Sequence, residues 1–146
     1  MKKVVAATAL ALASSFAHAG STIATNPTVI LAGIADIEYE QSLSKTAGFT
    51  VNYSGINDAF GSISLIGGSY KAAFGKDFAD NSDSTFGKGL YWRAGVLSAS
   101  VSSGTSSISG VLPVVAIGYD YKINKNFVAS LDFGMLGAGL QVGYNF

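Results

Sequence analysis

Apolar residues recur at every second position along much of the chain. At its end, Ala138, Leu140, Val142, Tyr144 and Phe146 alternate with small or polar residues. Because successive side chains of a strand point to opposite faces of a sheet, this pattern predicts a β-strand with one apolar and one polar face. Similar patterns and the turns between them place seven strands near 30–44, 47–56, 61–75, 88–100, 110–123, 126–136 and 137–146.

The connections between these segments predict hairpins. Short polar turns at 44–47 and 124–126 each join two strands. The connection at 98–109 is dominated by Ser and Gly, which predicts a flexible loop, and 76–88 is a second long polar connection. Residues 20–27 supply an eighth strand, with Asn26-Pro27 opening the next turn, because bacterial single-chain barrels have an even number of strands.

Charged residues occupy the polar face of the predicted strands. A soluble sheet exposes such a face to water, whereas a small membrane barrel turns its apolar face to lipid and fills a narrow lumen with the polar one. Charges in that lumen must be paired, because removing an unpaired charge from water is costly. We expect Arg93 to be the hub, since a planar guanidinium can bridge two carboxylates. The predicted lumen charge network is Asp36, Glu38, Glu40, Lys71, Arg93, Asp120, Lys122 and Asp132.

The composition favours lipid as the surroundings of the apolar face. Hydrophobic residues make up 49% of the chain and charged residues 12%, where about 25% charged is usual for soluble domains. The longest apolar candidate for a membrane helix, 111–117, is only one strand long and contains Pro113. Because only helices and closed barrels satisfy every backbone group in a bilayer, the pattern predicts an all-β, antiparallel transmembrane β-barrel of eight strands.

The N-terminal residues have the features of an export signal. Lys2 and Lys3 precede an apolar stretch at 4–16, and Ala17-His18-Ala19 places small residues where a signal peptidase cleaves. The apolar stretch is shorter than the roughly 20 residues that a spanning helix needs. We expect a signal peptide at 1–19 and one barrel domain at 20–146, which contains seven basic and nine acidic residues.

Aromatic residues collect at one end of the predicted barrel. If the C-terminus lies in the periplasm, the turns at 44–47 and 124–126 lie there too, and the outward aromatic residues near them resemble the girdle at a membrane interface. This predicted rim is Tyr39, Phe49, Phe74, Trp92, Tyr121, Phe127 and Tyr144. The same assignment puts the long 76–88 connection in the periplasm, where turns are usually short.

Residue types that many catalytic and metal sites require are missing from the predicted barrel. The one histidine, His18, lies in the predicted signal peptide, and the chain has no cysteine. A Ser nucleophile needs an adjacent base, and zinc needs nitrogen or sulfur ligands. We therefore expect no catalytic residues, no metal site and no cofactor. The lack of a basic patch predicts no nucleic-acid partner.

The C-terminal strand resembles the assembly signal of bacterial outer-membrane barrels, which ends in an aromatic residue after alternating hydrophobic positions. The residues that carry this signal are Leu140, Val142, Tyr144 and Phe146. Four upstream segments resemble motifs of a family of small bacterial outer-membrane barrels known as a domain of unknown function. They are Asn26-Pro27, Asp36-Ile37-Glu38-Tyr39-Glu40, Gly67-Gly68-Ser69-Tyr70-Lys71 and Gly89-Leu90-Tyr91-Trp92. Lys71 stands where the family has Arg, and Trp92 replaces a smaller apolar residue. The resemblance implies an eight-stranded barrel and no particular activity.

Three functions are compatible with these observations. The first is a non-enzymatic outer-membrane barrel that contributes to envelope structure or presents surface loops, with its lumen plugged by charged side chains. We expect it to be a monomer that contacts lipids and lipopolysaccharide and is inserted by the barrel-assembly machinery. The second is a small channel for ions or solutes. The third is a soluble exported carrier like the lipocalins, which requires an apolar lumen and a polar exterior.

Overall fold

The computed structural model describes residues 20–44, 46–74 and 89–146. The predicted signal peptide at 1–19 and the connection at 76–88 lie outside these residues. The described elements are β1 Ser21–Thr25, α1 Pro27–Leu31, β2 Ala35–Ser42, β3 Ala47–Asn57, β4 Ser62–Ala73, β5 Gly89–Ser103, β6 Ser106–Lys122, β7 Phe127–Gly134 and β8 Gly137–Asn145.

The eight strands form a closed barrel in which each strand is antiparallel to its neighbours. β1 closes the barrel by pairing with β8, with Ile23 opposite Tyr144 and Thr25 opposite Val142. The closure includes the last residue, because the Phe146 amide donates to the Ser21 carbonyl at 3.1 Å. The predicted all-β fold, antiparallel arrangement and number of strands are confirmed.

The even number of strands puts the start of β1 and the end of β8 at the same end of the barrel. We call this the terminal end; it also holds the turns at 44–47 and 124–126. The opposite end, which we call the far end, holds α1, the turn at 58–61, and the β5–β6 and β7–β8 connections.

The barrel buries charged side chains and exposes apolar ones. Glu38, Lys71 and Asp120 lie in the lumen and are only 5%, 4% and 2% exposed. The exposed outward positions include Val115, Ile117, Leu131, Phe133 and Leu140. This distribution is the reverse of that in soluble proteins, which rarely expose a contiguous apolar surface. Within the described residues, no helix is both long and apolar enough to cross a membrane.

The predicted strand at 30–44 is too long at its start, because the chain between β1 and β2 has a different structure there. Its first part is helical, because the Asn26 side chain caps α1 by accepting hydrogen bonds from the amides of Thr28 and Val29 at 3.0 and 3.4 Å. Pro27 favours the first helical position, where its missing amide hydrogen costs nothing. The strand therefore begins only at Ala35. Asn26-Pro27 opens the connection between β1 and β2, but as the cap and first residue of a helix instead of the predicted turn.

The predicted flexible loop at 98–109 is wrong, because most of it lies in a long hairpin. β5 and β6 stay paired from Ser98 opposite Val111 to Ser103 opposite Ser106. The Ser residues hide a period-two pattern in which Val101 pairs with Ile108 on one face of the hairpin. In this segment, the alternation of apolar and Ser positions predicts a strand better than the Ser and Gly content predicts a loop.

Candidate functional site in the barrel lumen

Six of the eight predicted network residues form two ion-pair clusters in the terminal half of the lumen. Each cluster has one cation and two carboxylates. Lys71 on β4 and Arg93 on β5 lie opposite each other in the strand register, so the two cations enter the lumen side by side. Their carboxylate partners come from β2, β6 and β7, and the clusters therefore tie together strands from around the barrel.

The first cluster is centred on Lys71. Its ammonium Nζ lies 2.7 Å from a carboxylate oxygen of Glu40 and 2.7 Å from one of Asp120. The three side chains are at most 8% exposed. An ammonium has three donors and no fixed plane, so it can hold two carboxylates that approach from different strands.

The second cluster is centred on Arg93. Its Nη1 lies 2.9 Å from Glu38 and its Nη2 lies 3.0 Å from Asp132. The guanidinium thus bridges two carboxylates, the geometry that its planar set of donors predicts. Glu38 is on β2 and Arg93 is on β5, three strands further around the barrel. A direct ion pair between them must cross the lumen.

Tyr91 links the two clusters and is a site residue that the sequence interpretation missed. The Lys71 Nζ lies 4.0 Å from the centre of the Tyr91 ring, within the range of a cation–π contact. The Tyr91 hydroxyl donates to Asp132, a member of the Arg93 cluster. Tyr91 lies two residues before Arg93 on the same face of β5, so its position could have indicated its role. It was missed because the predicted network included only charged residues, and a tyrosine side chain is neutral.

The other two predicted network residues have different surroundings. Asp36 accepts hydrogen bonds from the Asn26 amide at 2.7 Å and the Ser54 hydroxyl at 2.5 Å. Both donors are neutral, so Asp36 anchors the start of β2 to the turn that precedes α1. Lys122 is the last residue of β6, two residues from Asp120, and it is half-buried.

A cavity of about 230 Å³ lies between the ion pairs and the far end. Its charged lining consists of Asp36, Glu38, Arg93 and Asp132. Leu65, Leu97 and Val114 are among its apolar lining residues, and Val29 of α1 and Leu136 of the β7–β8 turn border it at the far end. The ion pairs therefore occupy the terminal half of the lumen, and the cavity lies in its far half.

The outer surface of β8 carries the residues assigned to the assembly signal. Leu140, Val142, Tyr144 and Phe146 are all exposed, at 38–46%. The Tyr144 ring packs edge-on against Phe127 at 5.3 Å and stacks with Phe146 at 6.5 Å. All seven predicted rim residues lie within four positions of strand ends at the terminal end, and Tyr70 joins them through a 5.7 Å ring contact with Trp92.

One outward polar residue, Gln41, interrupts the alternation in β2. Its side-chain oxygen accepts from the Tyr39 hydroxyl at 2.6 Å and from the Ser21 hydroxyl at 2.9 Å. Gln41 lies opposite Ser21 across the β1–β2 pair, so three polar groups on the outer surface satisfy one another. Such mutual pairing lowers the cost of placing them beside apolar neighbours.

The clusters hold charge in fixed pairs and present no arrangement for a metal. Within the described ranges, no group of three or more His, Cys, Asp or Glu side chains is placed to hold an ion. Each carboxylate of the two clusters contacts a cation at 3.0 Å or less. Their evident physical effect is to offset part of the buried negative charge, with two cations against four carboxylates, and to occupy the lumen.

The fold is similar to a solved structure, the N-terminal β-barrel domain of Pseudomonas aeruginosa OprF. The two share 21% sequence identity with a TM-score of 0.56, and the match covers 88% of this chain and 98% of that domain. No family model matches the chain, and a search of curated proteins finds no significant relative. Identity at this level establishes a shared fold. The chain is an eight-stranded antiparallel β-barrel of the kind found in the OprF N-terminal domain.

Proposed function

We propose that this chain is a non-enzymatic β-barrel of the Gram-negative outer membrane that contributes to envelope structure or presents its far-end loops to a partner. The observation that carries the proposal is the reversed distribution of side chains in a closed barrel. A closed barrel leaves no backbone edge for lipid to meet, and its outward apolar residues suit hydrocarbon. A soluble carrier would need the opposite arrangement.

The aromatic residues support an orientation in that membrane. Aromatic side chains favour the interface between hydrocarbon and headgroups. Their concentration at the terminal end, together with the likeness of β8 to an assembly signal, supports placing that end in the periplasm. The far-end loops would then face the outside of the cell, where lipopolysaccharide and external partners are found.

The ion-pair clusters support a lumen that does not conduct. An eight-stranded barrel is only just wide enough for its side chains to fill. Arg93 reaches across this space to Glu38 at 2.9 Å, and the Lys71 cluster lies beside it. The paired carboxylates and the absence of histidine after His18 also support a role without catalysis, since a nucleophile in such a site would lack its usual base.

Cell fractionation and bilayer recording test the proposal together. We expect the protein in the outer-membrane fraction, with a folded form that migrates differently from the heated form. In planar bilayers, the purified monomeric barrel should show no steady conductance, with a porin inserted under the same conditions as the positive control. Recovery in the soluble periplasmic fraction would favour the carrier. Reproducible single-channel steps would favour the channel.

A further inference from the structure

The faces of β3 to β6 exchange character along the barrel axis. In the terminal half, inward positions are polar or charged and outward positions are apolar. Near the far end, the inward positions become apolar, as at Ile63, Val101 and Ile108, and the residues on either side of each are outward Ser. Outward Ser residues of this far-end segment are Ser62, Ser64, Ser98, Ser100, Ser102, Ser107 and Ser109, and the outward apolar residue Val111 lies opposite Ser98 at its border.

This exchange has a physical consequence for both faces. Ser-rich outward positions suit water rather than hydrocarbon, so the outer apolar band ends before the tip of the β5–β6 hairpin. The inward face of that tip is apolar but incompletely covered, with Val101 48% and Ile108 78% exposed. On the far-end side of the ion pairs, these inward residues therefore line the lumen with a concave apolar surface, which we call the apolar wall.

The far-end cavity lies between this wall and the ion pairs, is lined by Leu65, Leu97 and Val114, and is electronegative. Its charged lining contains the three carboxylates of Asp36, Glu38 and Asp132 and only one cation, Arg93. Arg93 is engaged by Glu38 and Asp132, whereas Asp36 is held by two neutral donors. The far-end connections at 26–34, 58–61, 104–105 and 135–136 contain no Lys or Arg. No basic residue of these connections is therefore available to offset the charge of Asp36.

We infer that this far-end cavity, defined by Asp36, Leu65, Leu97 and Val114, binds a small amphipathic cation. The positively charged head lies at the Asp36 carboxylate, and the short apolar tail lies along the Leu65 and Leu97 wall. Binding sites for small molecules combine such apolar walls with a few placed polar groups. At about 30 Å³ per water-sized unit, the volume of about 230 Å³ suits a ligand of roughly eight non-hydrogen atoms.

The inference adds to the proposed function and does not depend on it. It requires only the folded barrel, whether or not the protein resides in the outer membrane, so a failure of either one is visible separately. It is also compatible with a closed lumen, because the site lies on the far side of the ion pairs. A ligand entering from the far end would be held by the barrel without passing through it.

A titration followed by nuclear magnetic resonance tests the inference on the wild-type barrel in micelles of a non-ionic detergent, which supplies no competing ammonium group. The probe is butyltrimethylammonium, compared with hexanoate as an anion of similar size and tetramethylammonium as a head without a tail. We expect saturable shifts of the backbone signals of Asp36, Leu65 and Leu97 with butyltrimethylammonium alone. Equal shifts with hexanoate, or shifts that never saturate, would overturn the inference.

Matched variants locate the site. Asp36→Asn and Leu65→Ser should each weaken binding of butyltrimethylammonium by roughly fivefold or more, the change that corresponds to losing one modest interaction. Asp58→Asn, at an exposed turn of the same end, and Ile66→Ser, on the outward face beside Leu65, should leave the affinity nearly unchanged. Equal effects in the paired variants would contradict the assigned cavity. If a variant does not fold, the comparison of the three probes on the wild-type barrel still shows whether the cavity prefers an amphipathic cation.

Discussion

Arg93 and Lys71 each hold two carboxylates in a part of the lumen that has little access to water. Removing charges from water is costly, and the attraction between them repays that cost only where the geometry is good. The loss of one member of such a cluster is therefore more damaging than the pairing itself is stabilising, because the remaining charges stay buried. This asymmetry makes single substitutions in the lumen informative.

Arg93→Ala should destabilise the folded barrel by about 3–5 kcal/mol, since Glu38 and Asp132 would lose the guanidinium between them. Urea unfolding of the purified barrel in lipid measures the change. Lys125→Ala removes a cation from an exposed turn and serves as the control, with an expected change of less than about 0.5 kcal/mol. If the two variants have the same stability, the ion pairs do not stabilise the barrel as described.

Gly118 faces the lumen where Tyr91 and Asp132 meet. A Cβ at this position would lie 2.5 Å from the Tyr91 hydroxyl oxygen and 2.5 Å from the Asp132 carboxylate. Gly118→Ala should therefore force the link between the two clusters apart and cost about 1–3 kcal/mol. Gly139→Ala is the matched control, because its nearest contact is the Asp132 Cβ at 3.8 Å. Equal stability of both variants in the same urea assay would argue against tight packing around Tyr91.

At the scale of single strands, the alternation assigns each residue to one of two environments. Leu140 points outward on β8, whereas Gln141 points into the lumen opposite Ser130. Leu140→Arg should destabilise the inserted barrel by about 2–4 kcal/mol if it lies near the middle of the membrane. Gln141→Ser should be tolerated. Unfolding measured in bilayers compares the two variants, and equal tolerance would refute the assigned phase of the strand.

The strands that could be predicted from the sequence are those whose alternation is complete, such as β7 and β8. The hairpin at 98–109 was missed because Ser occupies outward positions that are apolar elsewhere in the barrel, and the helix α1 was missed because a local cap at Asn26 outweighs the surrounding pattern. The lumen residues were predictable from their face. Their partners were not, because the pairing of Arg93 with Glu38 depends on how the sheet closes on itself.

At the scale of the whole molecule, stability depends on closure between β1 and β8. The Phe146 carbonyl accepts from the amides of Gly20 and Ser21 at 3.3 and 3.4 Å, so the last residue is part of the seam. In the proposed membrane setting, an open seam would expose backbone groups to lipid, each at a cost of several kcal/mol. Deleting Phe146 should therefore reduce the amount of heat-modifiable, membrane-inserted protein.

Phe146→Ala separates closure from signalling, since it keeps the backbone but removes the ring. If the cellular machinery reads the aromatic residue as the assembly signal that β8 resembles, we expect poor insertion in cells and near-normal refolding into lipid vesicles in vitro. Normal insertion of the truncated chain in cells would count against both roles of Phe146.

The distribution of apolar and charged side chains predicts that the outer face of this barrel meets lipid and that the inner face does not. The chain has no cysteine, so single cysteines carrying a nitroxide can be placed at Ser130, Leu131, Leu140 and Gln141. The residues pair as Leu131 with Leu140 and Ser130 with Gln141. In phospholipid bilayers, labels at the two leucines should collide frequently with dissolved oxygen and rarely with a water-soluble nickel chelate, and labels at Ser130 and Gln141 should collide much less with oxygen. The reverse pattern, or high access of nickel to all four labels, would contradict the account.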